Sequence, residues 1–143
     1  MTPPRVGGGV KVFVDGASRG NPGPASIGVV FQDTDGEVIK TISKSIGVAT
    51  NNTAEYTALI LALQEALISG WKELKVFTDS ELVAKQFSGE YKIKEPSIKL
   101  LFLLVSHLRQ GFKKLTVTHV PREENKLADA EANKALDSGE FFL

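Results

Sequence analysis

Asp15, Glu55, Asp79 and Asp129 fall in four separate segments, each where a strand-like or helix-like pattern begins or ends. Their frames are V-F-V-D-G-A-S-R-G-N-P-G-P, T-N-N-T-A-E-Y, V-F-T-D-S and N-K-L-A-D-A-E-A-N. Acids scattered in this way make a site only if folding gathers them. Once gathered, four carboxylates form a cage for divalent cations. Hydrolysis of a phosphodiester is the chemistry such a cage suits, because it needs an activated water, a stabilised leaving oxygen and neutralised nonbridging oxygens. Two metal ions roughly 3.5 to 4 Å apart supply all three. Magnesium prefers oxygen ligands and keeps several waters, so carboxylates suit it better than histidines. Without metal the acids repel one another and at least one holds its proton tightly, so activity is expected to fall in acid.

The elements that must position these acids can be read from patterning. Val10 to Val14 is a short apolar run that predicts a buried strand with Asp15 at its end. The glycines and prolines of Gly16 to Pro24 predict a sharp turn. Ser26 to Gln32 and Val38 to Ser45 read as strands joined by the hairpin loop Asp33-Thr-Asp-Gly36, completing an antiparallel meander. From Thr53, apolar residues at three-to-four spacing predict a long buried helix, N-capped by Asn52 or Thr53 and stopped at Gly70. Glu55 is then expected in the first turn, where the helix dipole favours a negative charge by about 0.3 to 1 kcal/mol. A strand over Leu74 to Phe77 leads to Asp79. Helices follow over Ser80 to Phe87 and over Ser97 to Arg109, the latter with Ile98, Leu101, Leu104, Val105 and Leu108 on one side. Leu115 to Val120 is a last strand, and Asn125 to Leu136 a last helix carrying Asp129 one turn in. The order implies an α/β fold: a five-stranded mixed sheet, three strands in a meander plus two more, flanked by helices. Ligand sites in such sheets gather outside strand ends, where Asp15 and Asp79 are expected.

Composition narrows the class. A chain of 143 residues, 42% hydrophobic and 24% charged, is one globular domain. No run approaches the roughly 20 apolar residues of a membrane helix. The start, Met-Thr-Pro-Pro-Arg-Val-Gly-Gly-Gly, lacks the apolar core of a secretory signal, and zero cysteines exclude a disulfide framework and thiolate metal sites. A cytoplasmic setting and a monomer are expected, with a flexible tail over 1–9, a catalytic domain over 10–136 and a closing segment over 137–143. That segment ends in Phe-Phe-Leu, which is expected to dock on the body and add stability. Seventeen basic and 17 acidic residues cancel, so binding of a polyanion must come from local placement.

Together the frames D-G-A-S-R-G-N-P-G-P, T-N-N-T-A-E-Y-x-A-L, T-D-S and V-P-R-E-E-N-K-L-A-D closely resemble type 1 ribonuclease H, from about Val10 to Leu136. The resemblance implies the ribonuclease H-like fold and hydrolysis of the RNA strand of RNA/DNA hybrids, leaving 5′-phosphate and 3′-hydroxyl ends. It also implies that Asp15, Glu55, Asp79 and Asp129 are catalytic and hold two Mg²⁺ or Mn²⁺ ions. Gly16, Ser18, Asn21, Asn51 and Asn52 match groove-contacting positions, where RNA is told from DNA through its 2′-hydroxyls. Thr50 matches a threonine that contacts a DNA phosphate, and Glu81 stands where many relatives carry glutamine. Double-stranded RNA is a further candidate substrate.

Two departures from the family pattern bear on function. Ser88 to Pro96 replaces the tryptophan-containing basic protrusion of many relatives, and no N-terminal hybrid-binding domain is expected. Weak, salt-sensitive binding through Lys85, Lys92, Lys94 and Lys99 should follow. The residue assisting turnover has three candidates. His119 matches a family histidine if no gap is allowed, whereas aligning the strand ends brings Arg122 or Glu123 nearest the acids; the second alignment is preferred. An acidic calcium loop of the form D-x-D-x-D-G is not present. A noncatalytic hybrid-binding module would have no use for all four acids.

Overall fold

Val10, Val12 and Val14 alternate with Lys11, Phe13 and Asp15, and this period of two sets which side chains face each layer of the fold. The computed structural model of the chain describes residues 9–138. Its strands are β1 (Val10–Ser18), β2 (Gly23–Gln32), β3 (Val38–Ala49), β4 (Glu73–Thr78) and β5 (Lys114–His119). Its helices are α1 (Asn51–Ile68), α2 (Glu81–Phe87), α3 (Pro96–Arg109) and α4 (Lys126–Asp137), with a 3₁₀ turn over Arg122–Glu124. The strands form one sheet in the order β3-β2-β1-β4-β5, antiparallel across β1, β2 and β3 and parallel across β1, β4 and β5. The mixed sheet expected from the element order is the one observed.

The core lies on one face of the sheet. Val10, Val12, Val14, Ile27, Val29, Phe31 and Val76 pack there against Tyr56, Leu59, Ala62 and Leu63 of α1 and Ile98 and Val105 of α3. α4 lies on the opposite face, against the alternate residues of β2. A methyl added at Gly28 would sit 2.1 Å from the Ala128 carbonyl oxygen and 2.5 Å from the Ala132 amide. The bare backbone at Gly28 and the small residues Ala128 and Ala132 thus let helix and strand approach closely. Hydroxyls reinforce the seat: Ser26 donates to the Ala132 carbonyl (2.5 Å), Ser43 to that of Glu131 (2.6 Å) and Ser45 to that of Ala135 (3.2 Å).

Several boundaries differ from the sequence reading. β1 does not stop at Val14; Gly16, Ala17 and Ser18 pair with Ile27, Ser26 and Ala25, so Asp15 sits within a strand and the turn shrinks to Arg19 to Pro22. β3 runs on to Ala49. The N-cap of α1 is Thr50, whose hydroxyl accepts from the Thr53 amide at 3.2 Å, rather than Asn52 or Thr53. Glu55 therefore lies past the first turn, and the helix dipole does not account for it. Asp129 lies in the first turn of α4. Leu104, expected in the buried stripe of α3, is 50% exposed; Ile98 and Val105 carry that contact. Gly70 does end α1, at φ 80°, and Gly36 closes the hairpin at φ 84°. The Phe-Phe-Leu segment lies outside the described residues.

Gly28→Ala should lower stability by about 1 to 3 kcal/mol, as overpacking does in a filled core. Urea unfolding reads this as a lower midpoint with unchanged slope; an unchanged midpoint would mean that α4 is not seated on Gly28.

Candidate metal centre and catalytic site

The parallel pairing of β1 with β4 ends at Val14 opposite Thr78, and the next residue of each strand is one of the acids, Asp15 and Asp79. β2 continues to hold Asp15, which pairs with Gly28. At Asp79 the chain is fixed from both sides. The Thr78 hydroxyl accepts from the Ser80 amide at 3.0 Å, and the Thr78 carbonyl accepts from Val120 at 2.9 Å. Glu55 arrives from α1 because Gly16 has no side chain: a Cβ there would lie 2.3 Å from the Ala54 carbonyl carbon. With helix and strand that close, the Gly16 amide donates to the Glu55 carboxylate at 2.5 Å.

Ligand oxygens of Asp15, Glu55 and Asp79 lie within 4.8 Å of one another. Asp129 is outside this tight cluster, but its side chain is near enough to that of Asp15 to help raise the Asp15 carboxyl. All four expected acids are thus brought to one place, three tightly and one at the margin. Asp15 is only 6% exposed. Burial, then the charges of Glu55 and Asp79, push its carboxyl up to about 9 from 3.8. Burial likewise raises Glu55 to about 7, against the lowering pull of the Gly16 amide. The donors are all carboxylate oxygens, mutually repulsive and in need of positive charge, which fits hard divalent cations.

The three candidates for an assisting residue lie in different places. Arg122, on the 3₁₀ turn, brings its guanidinium to 3.9 Å from the Asp79 carboxylate. His119 is the last residue of β5 and pairs with Thr78, so the pleat sets it on the face of Thr78 rather than that of Asp15. Glu123 is exposed beside Arg122.

Most residues expected to contact substrate lie at the end of β1, on the turn after it or at the start of α1, and Glu81 opens α2. The Ser18 hydroxyl donates to the carbonyls of Gly20 and Ala49, the latter at 3.0 Å. The Asn21 side chain accepts from the Asn51 amide at 3.1 Å. Together with the Thr50 cap, these bonds draw the β1–β2 turn against the start of α1. Asn52 borders a cleft with Gln86, Lys92 and Lys94. Glu81 is exposed and its carboxylate accepts from the Tyr91 hydroxyl at 3.3 Å. Of the expected cations, Lys85 pairs with Glu90 at 3.3 Å. Lys92, Lys94 and Lys99 are exposed. The sequence reading took Asn125 only as a helix start, yet it is 1% exposed and donates to the Val14 carbonyl at 2.9 Å.

A five-stranded mixed sheet with clustered carboxylates beyond its central parallel pair defines a metal-dependent nuclease of the ribonuclease H-like fold. Residues 13–135 match the family described as Reverse transcriptase-like. The Ribonuclease HI of Halobacterium salinarum is 45% identical over 134 residues, 94% of this chain and 67% of that protein. Its crystal structure superposes with a TM-score of 0.88 at 44% identity, covering 90% of this chain and 98% of that one. LC11-RNase H1, solved in complex with an RNA/DNA hybrid, gives a TM-score of 0.87 at 41% identity, covering 91% and 98%. The Bifunctional protein Rv2228c of Mycobacterium tuberculosis is 42% identical over 130 residues, 90% of this chain but 36% of that protein. The chain belongs to the type 1 ribonuclease H family, whose members are nucleases requiring divalent metal ions. It is of the form without the basic protrusion: α2 ends at Phe87 and α3 begins at Pro96, with a short loop between them.

The raised acids make a stability prediction. Folded metal-free protein keeps protons that the unfolded chain releases near pH 4, so this stabilisation is full below that pH. It is lost as pH rises through about 7 and about 9, the values of Glu55 and Asp15. In EDTA the melting temperature should fall between pH 5 and 9. Asp15→Asn, whose amide is neutral without taking up a proton, should melt about 4 °C or more above wild type at pH 8. Scanning calorimetry of both proteins checks this; parallel pH profiles would remove the electrostatic account.

Proposed function

We propose that this chain is an endoribonuclease that hydrolyses the RNA strand of RNA/DNA hybrids, leaving 5′-phosphate and 3′-hydroxyl ends. The observation that carries this reading is the meeting of Asp15, Glu55 and Asp79 within 4.8 Å, beside the end of the β1–β4 pairing in a fold shared with ribonucleases HI. In the proposal these acids and Asp129 hold two Mg²⁺ or Mn²⁺ ions. When bound, the ions supply an activated water and stabilise the attacking and leaving oxygens. Residues 10–136 form the catalytic domain, acting as a monomer in the cytoplasm. Among the described residues, no helix is long and apolar enough to cross a membrane.

The protein groups have separable tasks. The Gly16 amide favours the ionised form of Glu55 against the opposing effect of burial, and Asp15 gives up its proton when positive charge arrives. Arg122, beside Asp79, steadies the scissile phosphate or the departing product; a guanidinium stays charged and cannot shuttle protons near neutrality. Gly16, Ser18, Asn21, Asn51 and Asn52 read the 2′-hydroxyls and the groove, and Thr50 meets a phosphate of the DNA strand. Glu81 accepts but does not donate, and its bond with Tyr91 competes with any substrate hydroxyl. Lys92, Lys94 and Lys99 supply the remaining phosphate contacts, so binding is weak and salt-sensitive. Double-stranded RNA offers the same 2′-hydroxyls and is the second substrate to test.

Labelled hybrid, double-stranded RNA and DNA incubated with Mg²⁺ or Mn²⁺ should show metal-dependent cleavage of the hybrid's RNA strand. Asp15→Asn and Asp129→Asn should each abolish it; an inert wild-type protein, shown to be folded, would overturn the reading. Arg122→Ala should lower kcat by about 10-fold or more while metal affinity stays nearly unchanged, as expected for loss of one group acting on the transition state. His119→Ala should leave both within about 2-fold. The reverse pattern would return the assisting role to His119.

A further inference from the structure

Asn125 is the joint between two parts of the site. Its backbone amide donates to the Arg122 carbonyl at 2.9 Å, ending the 3₁₀ turn, and its carbonyl accepts from the Asp129 amide at 3.1 Å, beginning α4. It is 1% exposed. Despite its place before a helix, its side chain makes no capping hydrogen bond to α4. Instead Nδ2 crosses to β1 and donates to the Val14 carbonyl at 2.9 Å, while Oδ1 is buried with no partner among the described residues. Val14 ends the β1–β4 pairing and directly precedes Asp15.

We propose that Asn125 is a positioning residue of the metal centre: its single bond to Val14 fixes Asp129 and Arg122 against Asp15 and Asp79. The geometry supports this over simple helix capping. A capping asparagine would satisfy an amide of its own helix, whereas this one leaves that role empty and spends its donor on the strand that carries Asp15. A merely space-filling residue would not be polar at a site where one of its two polar ends is unpaired. The proposal rests on the assignment of the four acids as metal ligands, and so goes further than the function proposed above.

Two measurements test it, one of them without substrate. Mg²⁺ or Mn²⁺ binding to Asn125→Ala, followed by calorimetry in the absence of hybrid, should weaken about 10-fold or more, as loss of a group that orients metal ligands does. Hybrid cleavage at one fixed metal concentration should show kcat lowered by a similar factor with KM nearly unchanged, and raising the metal concentration should recover part of the loss. Metal affinity and kcat equal to wild type, with only a lower melting temperature, would overturn the proposal and leave Asn125 a structural residue. If the alanine variant does not fold, Asn125→Ser undergoes the same measurements: its hydroxyl is too short to reach Val14, and the same two outcomes apply. The metal titration needs no hybrid, so its result stands whichever nucleic acid the enzyme cuts.

Discussion

The carboxylates of Asp15, Glu55 and Asp79 share one half-buried space, and their mutual repulsion is the constraint that organises the surrounding fold. Two unit charges 4.8 Å apart repel by about 3.5 kcal/mol at an effective dielectric of about 20. Side chains alone would rotate apart. They are held because each acid is attached to backbone that cannot yield: Asp15 within the β1–β2 pairing, Asp79 between two hydrogen bonds at the end of β4, and Glu55 on a helix pressed onto Gly16. The repulsion is eased by a proton held on Asp15 and by Arg122 close to Asp79. The metal-free enzyme thus carries strain in its most important region, and positive charge relieves it.

Much of this was legible in the sequence, and the failures have specific causes. Element types and order follow from apolar periodicity, and the four acids from their frames. The end of β1 was misplaced because Gly16 and its neighbours look like turn residues. Gly16 is instead a strand residue whose missing side chain admits α1, a close approach that no local pattern reveals. The helix start was misplaced because Thr50, Asn51, Asn52 and Thr53 are all capable caps, and only the fold shows that Thr50 takes the role. For Leu104, helical spacing alone could not say how wide a stripe of α3 would be covered. Where Arg122 and His119 lie relative to the acids depends on the strand's pleat and on a short 3₁₀ turn, neither of which a single sequence specifies.

The surface for substrate shows a different economy. Net charge is zero, so attraction to a polyanion is confined to a few exposed lysines and to Arg122. Polar groups near Glu55 are largely engaged with one another: Ser18 with Ala49, and Asn21 with Asn51. Such bonds preorganise the surface. They leave the side-chain amides of Asn51 and Asn52, and the lone pairs of groups already bonded, to meet a groove. In the function proposed above, selectivity comes from shape and 2′-hydroxyls, and affinity is modest and dependent on salt.

Asp129 illustrates how the two faces of the sheet are coupled. The three clustered acids come from β1, from the end of β4 and from α1, which covers the core face; Asp129 comes from α4 on the other face. Its distance from Asp15 is therefore set by how deeply α4 sits, which depends on contacts remote from the chemistry. The bare backbone of Gly28 against Ala128 and Ala132 determines that depth, and three serine hydroxyls grip the helix carbonyls. The side chain of Asn125 ties the start of the helix to β1 at the Val14 carbonyl. A shift of even a methyl group's width at Gly28 would move Asp129 relative to the other acids, so the small residues of α4 and the placement of the fourth carboxylate are one structural fact. That coupling explains why the fourth acid can stand outside the tight cluster and still be set with respect to it: a looser electrostatic tie is offset by stiffer packing.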